Sequence, residues 1–478
     1  MSWNSPLSGS SERPSASLTD SGSQIATKSL SLTHPLSRMP EQWHSEHMTS
    51  DVARVCSELI SLDTSNYGDG TGPGEASAAE YVEAFLRGAG LQPERFSTTS
   101  GSRQVVVCRI AGEDPQAPAL VVHAHLDVVP AIAADWSVPA FEGAIHEGMV
   151  WGRGAVDMKD MDAMILTVVQ QWQLHGIKPR RDIVLLFLPD EEAGGQHGAH
   201  WVVDNRPELL EGVTEGIGEV GGFSFELANH RRLYMIETAQ KGLAWLRLSA
   251  TGTATHGSLI ANDNAVTRLA RTIARIGEHE FPVQLTPTVE RFLREVCDAA
   301  DIPFDRNDPE AALAQLGPFA RMIGAVMRHT ANPTMLDAGY KSNVIPGQAQ
   351  ATVDARFLPG LEEDFFDQFE ELLEPGVTFE PEVRDISLET TFDGDLVSGM
   401  TKALLAEDPQ GIPVPYTLSG GTDAKALSRL GIRCFGFAPL QLPADLDFTA
   451  LFHGIDERVP VASLEFGVRV LDRFLRNA

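Results

Sequence analysis

The sequence predicts an α/β protein in which a mainly parallel-sheet domain is interrupted by a smaller α+β domain. Three observations predict it. Short uninterrupted apolar runs, ALVVHAHL (119–126) and DIVLLFLP (182–189), flank a segment of helical spacing, DMDAMILTVVQQWQLHG (160–176), which is the βαβ pattern. After Lys241 the pattern changes to a strand, helix, strand, helix, strand series, and from about Thr390 the α/β pattern resumes. The 478 residues, 43% hydrophobic and 22% charged, also exceed what one compact core usually holds.

Residues 1–48 are rich in Ser, Thr and Pro and bury too little apolar surface to offset the entropy of ordering, so a mobile tail is expected there. From Asp51 an amphipathic helix (DVARVCSELISL) is expected, then a second (GEASAAEYVEAFLRGAG) closed by a glycine cap. VVVCRIAG, ALVVHAHL and DIVLLFLP read as strands. A strand apolar throughout is covered on both faces, and sheets of such strands bind ligands beyond their carboxyl ends, where His125, Glu191 and Glu192 lie. The interrupting series is GLAWLRLSATG, DNAVTRLARTIARIG, SNVIPGQAQATVDARFL, LEEDFFDQFEELL and VTFEPEVRDISLE. Within it lies an insert, about 278–340, with helical stretches TVERFLREVCDAA and GPFARMIGAVMRHT. VSGMTKALLAED, YTLSGGTDAKALSRLG, RCFGFAP and the helix VASLEFGVRVLDRFL complete the first pattern. The expected division is therefore 49–241 with 389–478 as one domain and 242–388 as the other.

Thirty-seven basic against sixty-six acidic side chains give a formal charge of -29, which repels phosphate backbones and anionic lipid; nucleic acid and membrane are excluded as expected partners. No run approaches the roughly twenty apolar residues of a membrane span, and no secretory signal is legible. The four cysteines, Cys56, Cys108, Cys297 and Cys434, form no CxxC pair, so neither a disulfide framework nor a thiolate metal site is signalled, and a reducing cytoplasm is the expected location.

Five distant segments each end an apolar run with a metal-binding residue type: HAHLDVV with His125, GRGAVDMK with Asp157, LLFLPDEE with Glu192, IGEVGG with Glu219 and FHGIDERV with His453. Two imidazoles and three carboxylates match the needs of a pair of divalent ions, each taking about two private N/O ligands plus a shared carboxylate.

With an HxDxVP-like strand end, a GRGxxDMK segment, an apolar strand closing on DEE and the late His of FHGIDE, in this order, the chain from about Asp51 resembles the co-catalytic zinc amidohydrolases. These include carboxypeptidase G, acetylornithine deacetylase, succinyl-diaminopimelate desuccinylase, aminoacylase and the carnosine-type dipeptidases. The resemblance implies a zinc-peptidase catalytic domain with a ferredoxin-like lid and dimerisation domain, a homodimer, and two divalent ions, zinc with cobalt or manganese as alternatives. It implies that His125 and Glu219 belong to different ions, that Asp157 bridges both, that Glu192 joins the first and that His453 completes the second. A non-proline cis peptide after Asp157 is also expected. An ion pair lowers the pKa of trapped water towards about 7. Glu191, beside a ligand on the same turn, is then the candidate general base, and Asp127, two residues beyond His125, a candidate to orient that imidazole.

Structural rivals exist for several of these. His123 is read as a structural histidine, Glu211 and Glu215 as loop carboxylates, and His197 and His200 as polar surface. Asp157 also suits a helix cap, and Glu219 is followed by Val220 where the resemblance would place glycine. His256, in TATHGS, resembles a lid histidine that stabilises the oxyanion in a neighbouring subunit's site. Arg356 and Asn343 resemble carboxylate-recognising residues, for which a guanidinium fork is suited. Ser419, Gly420, Gly421 and Thr422 form a tight turn whose N–H groups suit substrate, with Asp423 as a helix cap. The expected activity is metal-dependent hydrolysis of an amide or peptide bond beside a free carboxylate in a small peptide or N-acyl amino acid. The rivals are a non-catalytic metal- or peptide-binding relative, and a hydrolase of an ester or carbamoyl amide.

Overall fold

Strands buried at every position need cover on both faces, and Ala119–His125 and Ile183–Leu188 have it. In the computed structural model, which describes residues 41–316 and 319–478, they pair in parallel from Leu120 opposite Ile183 to His125 opposite Leu188. Val213–Gly218 lies parallel on the other side of Ala119–His125, and Arg433–Gly436 parallel beyond it. Gln104–Ile110 and Glu94–Ser97 close one edge antiparallel. Arg232–Gln240 carries the other end of this ten-stranded sheet, parallel to Ile412–Leu418 and antiparallel to Phe223–Glu226 and Leu388–Glu389. The centre is thus parallel and the margins antiparallel.

Helices Lys159–His175, Gly394–Glu407 and Val461–Asn477 pack together on one face, where Trp172 is fully buried and donates Nε1–H to Asp472 Oδ1 at 2.7 Å. Ala199–Asn205 and Ala424–Ser428 cover the other face. Because the central strands run parallel, the turns after His125, Leu188 and Gly218 emerge together at one end of the sheet, and these turns bring the chemistry.

The second sheet is antiparallel, ordered Thr330–Ala338, Gln348–Phe357, Gly242–Thr251 and Val377–Asp385. Helix Ala265–Glu278 follows its first strand in the chain, and Glu362–Glu370 lies between its last two. Both supply residues to one core, in which the rings of Phe281, Phe357, Phe365 and Phe369 meet. The chain runs strand, helix, strand, strand, helix, strand, one strand more than the sequence pattern announces. That strand, Thr330–Ala338, lies in the expected insert. It is an edge strand with a single buried residue, Ala331, and a register shift between Pro333 and Met335, and an edge is where a sheet tolerates proline.

The insert's helix Pro287–Ala300 instead joins the larger core through Val289, Phe292, Leu293 and Val296 and packs against strand Ile412–Leu418. Thr286 caps it, its Oγ1 accepting from Val289 N at 3.4 Å with Pro287 in the first turn. The expected tail of 1–48 falls outside the described residues up to residue 40. A helix runs Glu41–Ile60, ten residues longer at its start than expected, since EQWHSEHMTS has no breaker after Pro40.

Phe365 is fully buried among rings. Phe365→Ala is expected to destabilise the smaller sheet's layer by about 3–5 kcal/mol, read as a lower urea midpoint; an unchanged midpoint would show that ring cluster to be dispensable.

Candidate metal centre

His125 is the last residue of its strand, and its Nδ1 faces the main-chain oxygen of Asp127 at 3.0 Å and the Asp127 carboxylate at 3.6 Å. This leaves Nε2 to face inward. Asp157 lies before helix Lys159–His175, and its bond to Met158 is cis, as expected. Glu191 and Glu192 form a single 3-10 turn after Asp190, whose φ is 73°. Glu219 follows strand Val213–Gly218, with Val220 at φ 53°, a left-handed conformation uncommon for a β-branched side chain. His453 stands in the loop before the last helix with φ 57°.

Asp157 joins the two imidazoles: Oδ1 lies 3.2 Å from His125 Nε2 and Oδ2 lies 3.3 Å from His453 Nε2. Glu219 Oε2 is 3.4 Å from His125 Nε2, and Glu192 Oε2 is 3.0 Å from His453 Nε2. The expected pairing is therefore corrected. His125 and Glu219 share one group and Glu192 and His453 the other, with Asp157 between. Sequence order carries no information on which strand ends meet, so this assignment needed the fold.

The separations test the fit to metal. Two ligand atoms at about 2.0–2.1 Å from one tetrahedral ion stand about 3.3 Å apart, and the four distances of 3.0–3.4 Å fall around that value. Glu191 Oε2, at 4.0 Å from His125 Nε2, lies beyond that spacing, yet it is close enough to His125 and Glu219 to form one candidate ligand group with them. The charge balance agrees. Burial pushes the Glu219 carboxyl up to about 7, Glu191 well above the carboxylate range and Glu192 upward. The Asp157 and Glu192 carboxylates hold His453 at about 10. Burial opposes charge on His125, yet Glu219 and Asp157 raise it well above the usual imidazole value. Glu191, Glu192 and Glu219 thus recruit protons for want of positive charge, whereas the two imidazoles, against the effect of burial, hold Asp157 between them below the usual carboxylate range, and an N/O donor set of this kind suits two divalent cations. The His125 side chain is 1% exposed and that of His453 is 55% exposed, so the site opens to solvent on the His453 side.

Two networks that patterning does not reveal hold these groups. The Asp127 carboxylate accepts from the main-chain N–H of Glu191 at 3.0 Å, from that of Glu192 at 3.1 Å and from Asn66 Nδ2 at 2.9 Å. It therefore fixes the Glu191–Glu192 turn as much as the imidazole. Arg103 lies behind it, paired with Glu75, donating to Asn66 Oδ1 at 3.0 Å and standing 3.4 Å from Asp190. On the other side, Glu457 accepts from Arg153 at 2.6 Å, from Gly154 N at 3.0 Å and from Val156 N at 2.8 Å, cradling the loop that carries Asp157. Arg153 also donates to the carbonyl of His453 at 3.4 Å. Arg153 and Glu457 stood inside quoted motifs, GRGAVDMK and FHGIDERV, and that proximity to ligands was the available signal. Asn66, in a glycine-rich loop, offered none.

The substrate candidates are placed less favourably. Arg356 gives both arms to Asp354, at 2.6 and 3.0 Å. Thr422 is engaged by Gln240, which accepts its N–H at 3.0 Å and donates to its hydroxyl at 2.8 Å, so the expectation that it faces substrate is corrected. His256 and Asn343 come together on a two-stranded ribbon, His256 opposite Val344 and Gly257 N donating to the Asn343 carbonyl at 2.8 Å. His256 Nδ1 meets Ser258 Oγ at 2.8 Å, and among the described residues its ring is not joined to the metal-facing group. Asp423, read as a cap, makes no side-chain cap bond, and its Oδ2 is buried without a partner. His123 packs against Gly218, is held at about 4 by burial and by His125, and is no part of the ligand group. His200 meets Arg429, and Glu215 meets Arg181.

A model of Peptidase family M20/M25/M40 matches residues 121–477. Aminoacylase-1 of Sus scrofa is 28% identical over 419 residues, covering 84% of this chain and 90% of that protein. The N-fatty-acyl-amino acid synthase/hydrolase PM20D1 of Homo sapiens is 27% identical over 395 residues, 77% of this chain and 76% of that protein. Among solved structures, the M20 family metallo-carboxypeptidase Sso-CP2 of Sulfolobus solfataricus superposes with a TM-score of 0.67 at 17% identity, covering 89% of this chain and 98% of that one. The di-peptidase Dug1p of Saccharomyces cerevisiae also gives 0.67, at 14% identity, over 91% and 97%.

Glu457→Gln is expected to weaken metal binding about 10- to 100-fold, measured by competition with a chelator of known affinity; unaltered affinity would mean that the cradle does not hold the ligand loop. In metal-depleted protein the folded Glu219 keeps its proton to about 7, whereas the unfolded chain loses it near 4.5. The folded state then binds more protons between those values, so stability falls as pH rises through that window. His453 acts in the same sense, its contribution being complete below 6.5 and lost through about 10. Thermal melting from pH 5 to 8 is expected to fall more steeply without divalent ion than with it; parallel slopes would contradict a cation-holding group.

Proposed function

The chain belongs to peptidase family M20/M25/M40, and from that membership we propose that it hydrolyses the bond between an acyl group or residue and an amino acid bearing a free carboxylate. At the coarser level it is a metal-dependent hydrolase of amide or peptide bonds. The observation that carries the reading is Asp157 set between two imidazoles, each with its own further carboxylate.

His125, Glu219 and Asp157 would hold one cation, and His453, Glu192 and Asp157 the second. Zinc is the proposed metal, with cobalt or manganese as substitutes. When bound, such a pair lowers the pKa of water and polarises the carbonyl beside it. Glu191, next to but outside the ligand spacing, takes a proton from the water as it adds to the carbonyl carbon, and returns it to the amine nitrogen as the C–N bond breaks. The raised affinity of its buried carboxyl for protons suits that exchange. Asp127 holds the turn that carries Glu191 through both amides.

Arg356, Asn343 and the N–H of Gly421 are assigned to the substrate, and His256 of a second copy to the developing oxyanion. That assignment requires a homodimer. Names such as aminoacylase, N-fatty-acyl-amino acid synthase/hydrolase, carboxypeptidase and di-peptidase among the relatives support a bond made to an amino acid. Among the described residues no helix is long and apolar enough to cross a membrane. The four cysteines are buried and unpaired, which supports a reducing cytoplasm as the location.

A panel of N-acyl amino acids and dipeptides, assayed with zinc, cobalt or manganese, is expected to give turnover that Glu191→Gln lowers about 10²- to 10⁴-fold with metal content unchanged. Equal activity of the variant would remove the base from Glu191. Full activity of a strictly monomeric protein would remove His256 from the oxyanion.

A further inference from the structure

The turn that carries the proposed base opens at Asp190 in a left-handed conformation, φ 73°, and two glutamates that repel each other follow it. Nothing within such a turn holds its shape against that repulsion. The Asp127 carboxylate takes the N–H groups of Glu191 and Glu192 from behind, but a buried anion placed there needs further donors of its own.

Asn66 supplies one. Its side chain is buried, and both ends of its amide are fully used. Nδ2 donates to Asp127 Oδ2 at 2.9 Å and to Asp190 Oδ1 at 3.2 Å, so one nitrogen joins the carboxylate that grips the turn to the residue that opens it. Oδ1 accepts from Gly68 N at 3.1 Å and from Arg103 at 3.0 Å, and these two donors fix which end of the amide faces the carboxylates. The main chain is pinned as well, Asn66 N donating to the carbonyl of Val128, the residue after Asp127, at 2.9 Å.

The contacts are one-sided. Asp127 Oδ1, which takes Glu191 N, is the oxygen that stands 3.6 Å from His125 Nδ1, and that imidazole also has the main-chain oxygen of Asp127 at 3.0 Å. Asp127 Oδ2, which Asn66 holds, takes Glu192 N instead, and Glu192 is the carboxylate 3.0 Å from His453 Nε2. Asn66 therefore bears on the turn and on the His453 side of the site more than on His125.

We propose that Asn66 is a positioning residue for the reaction, locking Asp127 and Asp190 together so that Glu192 faces the His453-side cation and Glu191 faces the attacking water. This rests on the amidohydrolase reading above and deepens it. Without the amide, two buried carboxylates lose their shared donor and the left-handed entry to the turn loses its tie to Asp127.

The test uses Asn66→Leu in the full chain, and Asn66→Asp, which keeps the shape and the acceptors but donates nothing, serves if the leucine variant does not fold. Zinc affinity, measured by chelator competition, is expected to fall about 10- to 100-fold at one of two binding steps and to stay within about threefold at the other. In a His453→Ala background, which retains only the His125-side group, the same substitution is expected to leave the remaining step within about threefold. At saturating zinc, kcat on the best substrate of the panel is expected to fall about 10- to 100-fold while KM stays within about threefold, because the base is displaced and the substrate's contacts are not. Equal weakening of both steps, a loss carried by KM, or a variant indistinguishable from wild type overturns the role of Asn66 and leaves the hydrolase reading standing. Wild type that binds no zinc or cleaves none of the panel overturns the hydrolase reading and this inference with it.

Discussion

The site depends on one carboxylate serving two imidazoles. Asp157 reaches His125 with one oxygen and His453 with the other, at nearly equal distances, although those histidines are 328 positions apart in the chain. A bridge of this kind works only if the two oxygens are presented to opposite sides, which fixes the carboxyl plane and leaves little freedom to the loop that carries it. Glu457 supplies that restraint from the far end of the chain, taking the N–H groups of Gly154 and Val156 on the carboxyl's own loop. The loop is thus held by hydrogen bonds to main chain, which do not compete for the Asp157 oxygens.

The same economy governs charge. The metal-facing group contains no lysine or arginine, while two buried arginines stand immediately behind it: Arg103 against Glu75, Asn66 and Asp190, and Arg153 against Glu457. Each neutralises an acid that would otherwise add to the repulsion, and neither points a donor at Glu191, Glu192 or Glu219. Positive charge is therefore set behind the metal-facing group and kept out of it. A protein that placed an arginine within the ring would satisfy its carboxylates permanently and lose its affinity for divalent ions.

Much of this was legible in the sequence, and what was not has physical reasons. ALVVHAHL and DIVLLFLP announced themselves because strands covered on both faces are apolar at every position. Arg232–Gln240 is buried almost as completely but carries Glu237, Thr238 and Gln240, and polar residues at buried positions erase the signal. Thr330–Ala338 was hidden for the opposite reason, since an exposed edge strand imposes no periodicity and tolerates Pro333. All five proposed ligands were visible as motif ends, and they meet. Their partition into two groups was not visible, because it depends on which strands are neighbours in the sheet. Thr422 looked available for substrate until Gln240, 182 residues earlier, was seen to engage it.

The metal centre explains the reaction class but not the choice of substrate, since the same ligands would activate water against any polarised carbonyl. Choice has to come from groups that meet the rest of the substrate, and here these are divided between the two sheets. The glycine turn belongs to the larger sheet; Arg356 and Asp354 belong to the smaller. An incoming carboxylate that engaged Arg356 would have to displace Asp354 from a two-armed pair, exchanging one charged partner for another with little net gain.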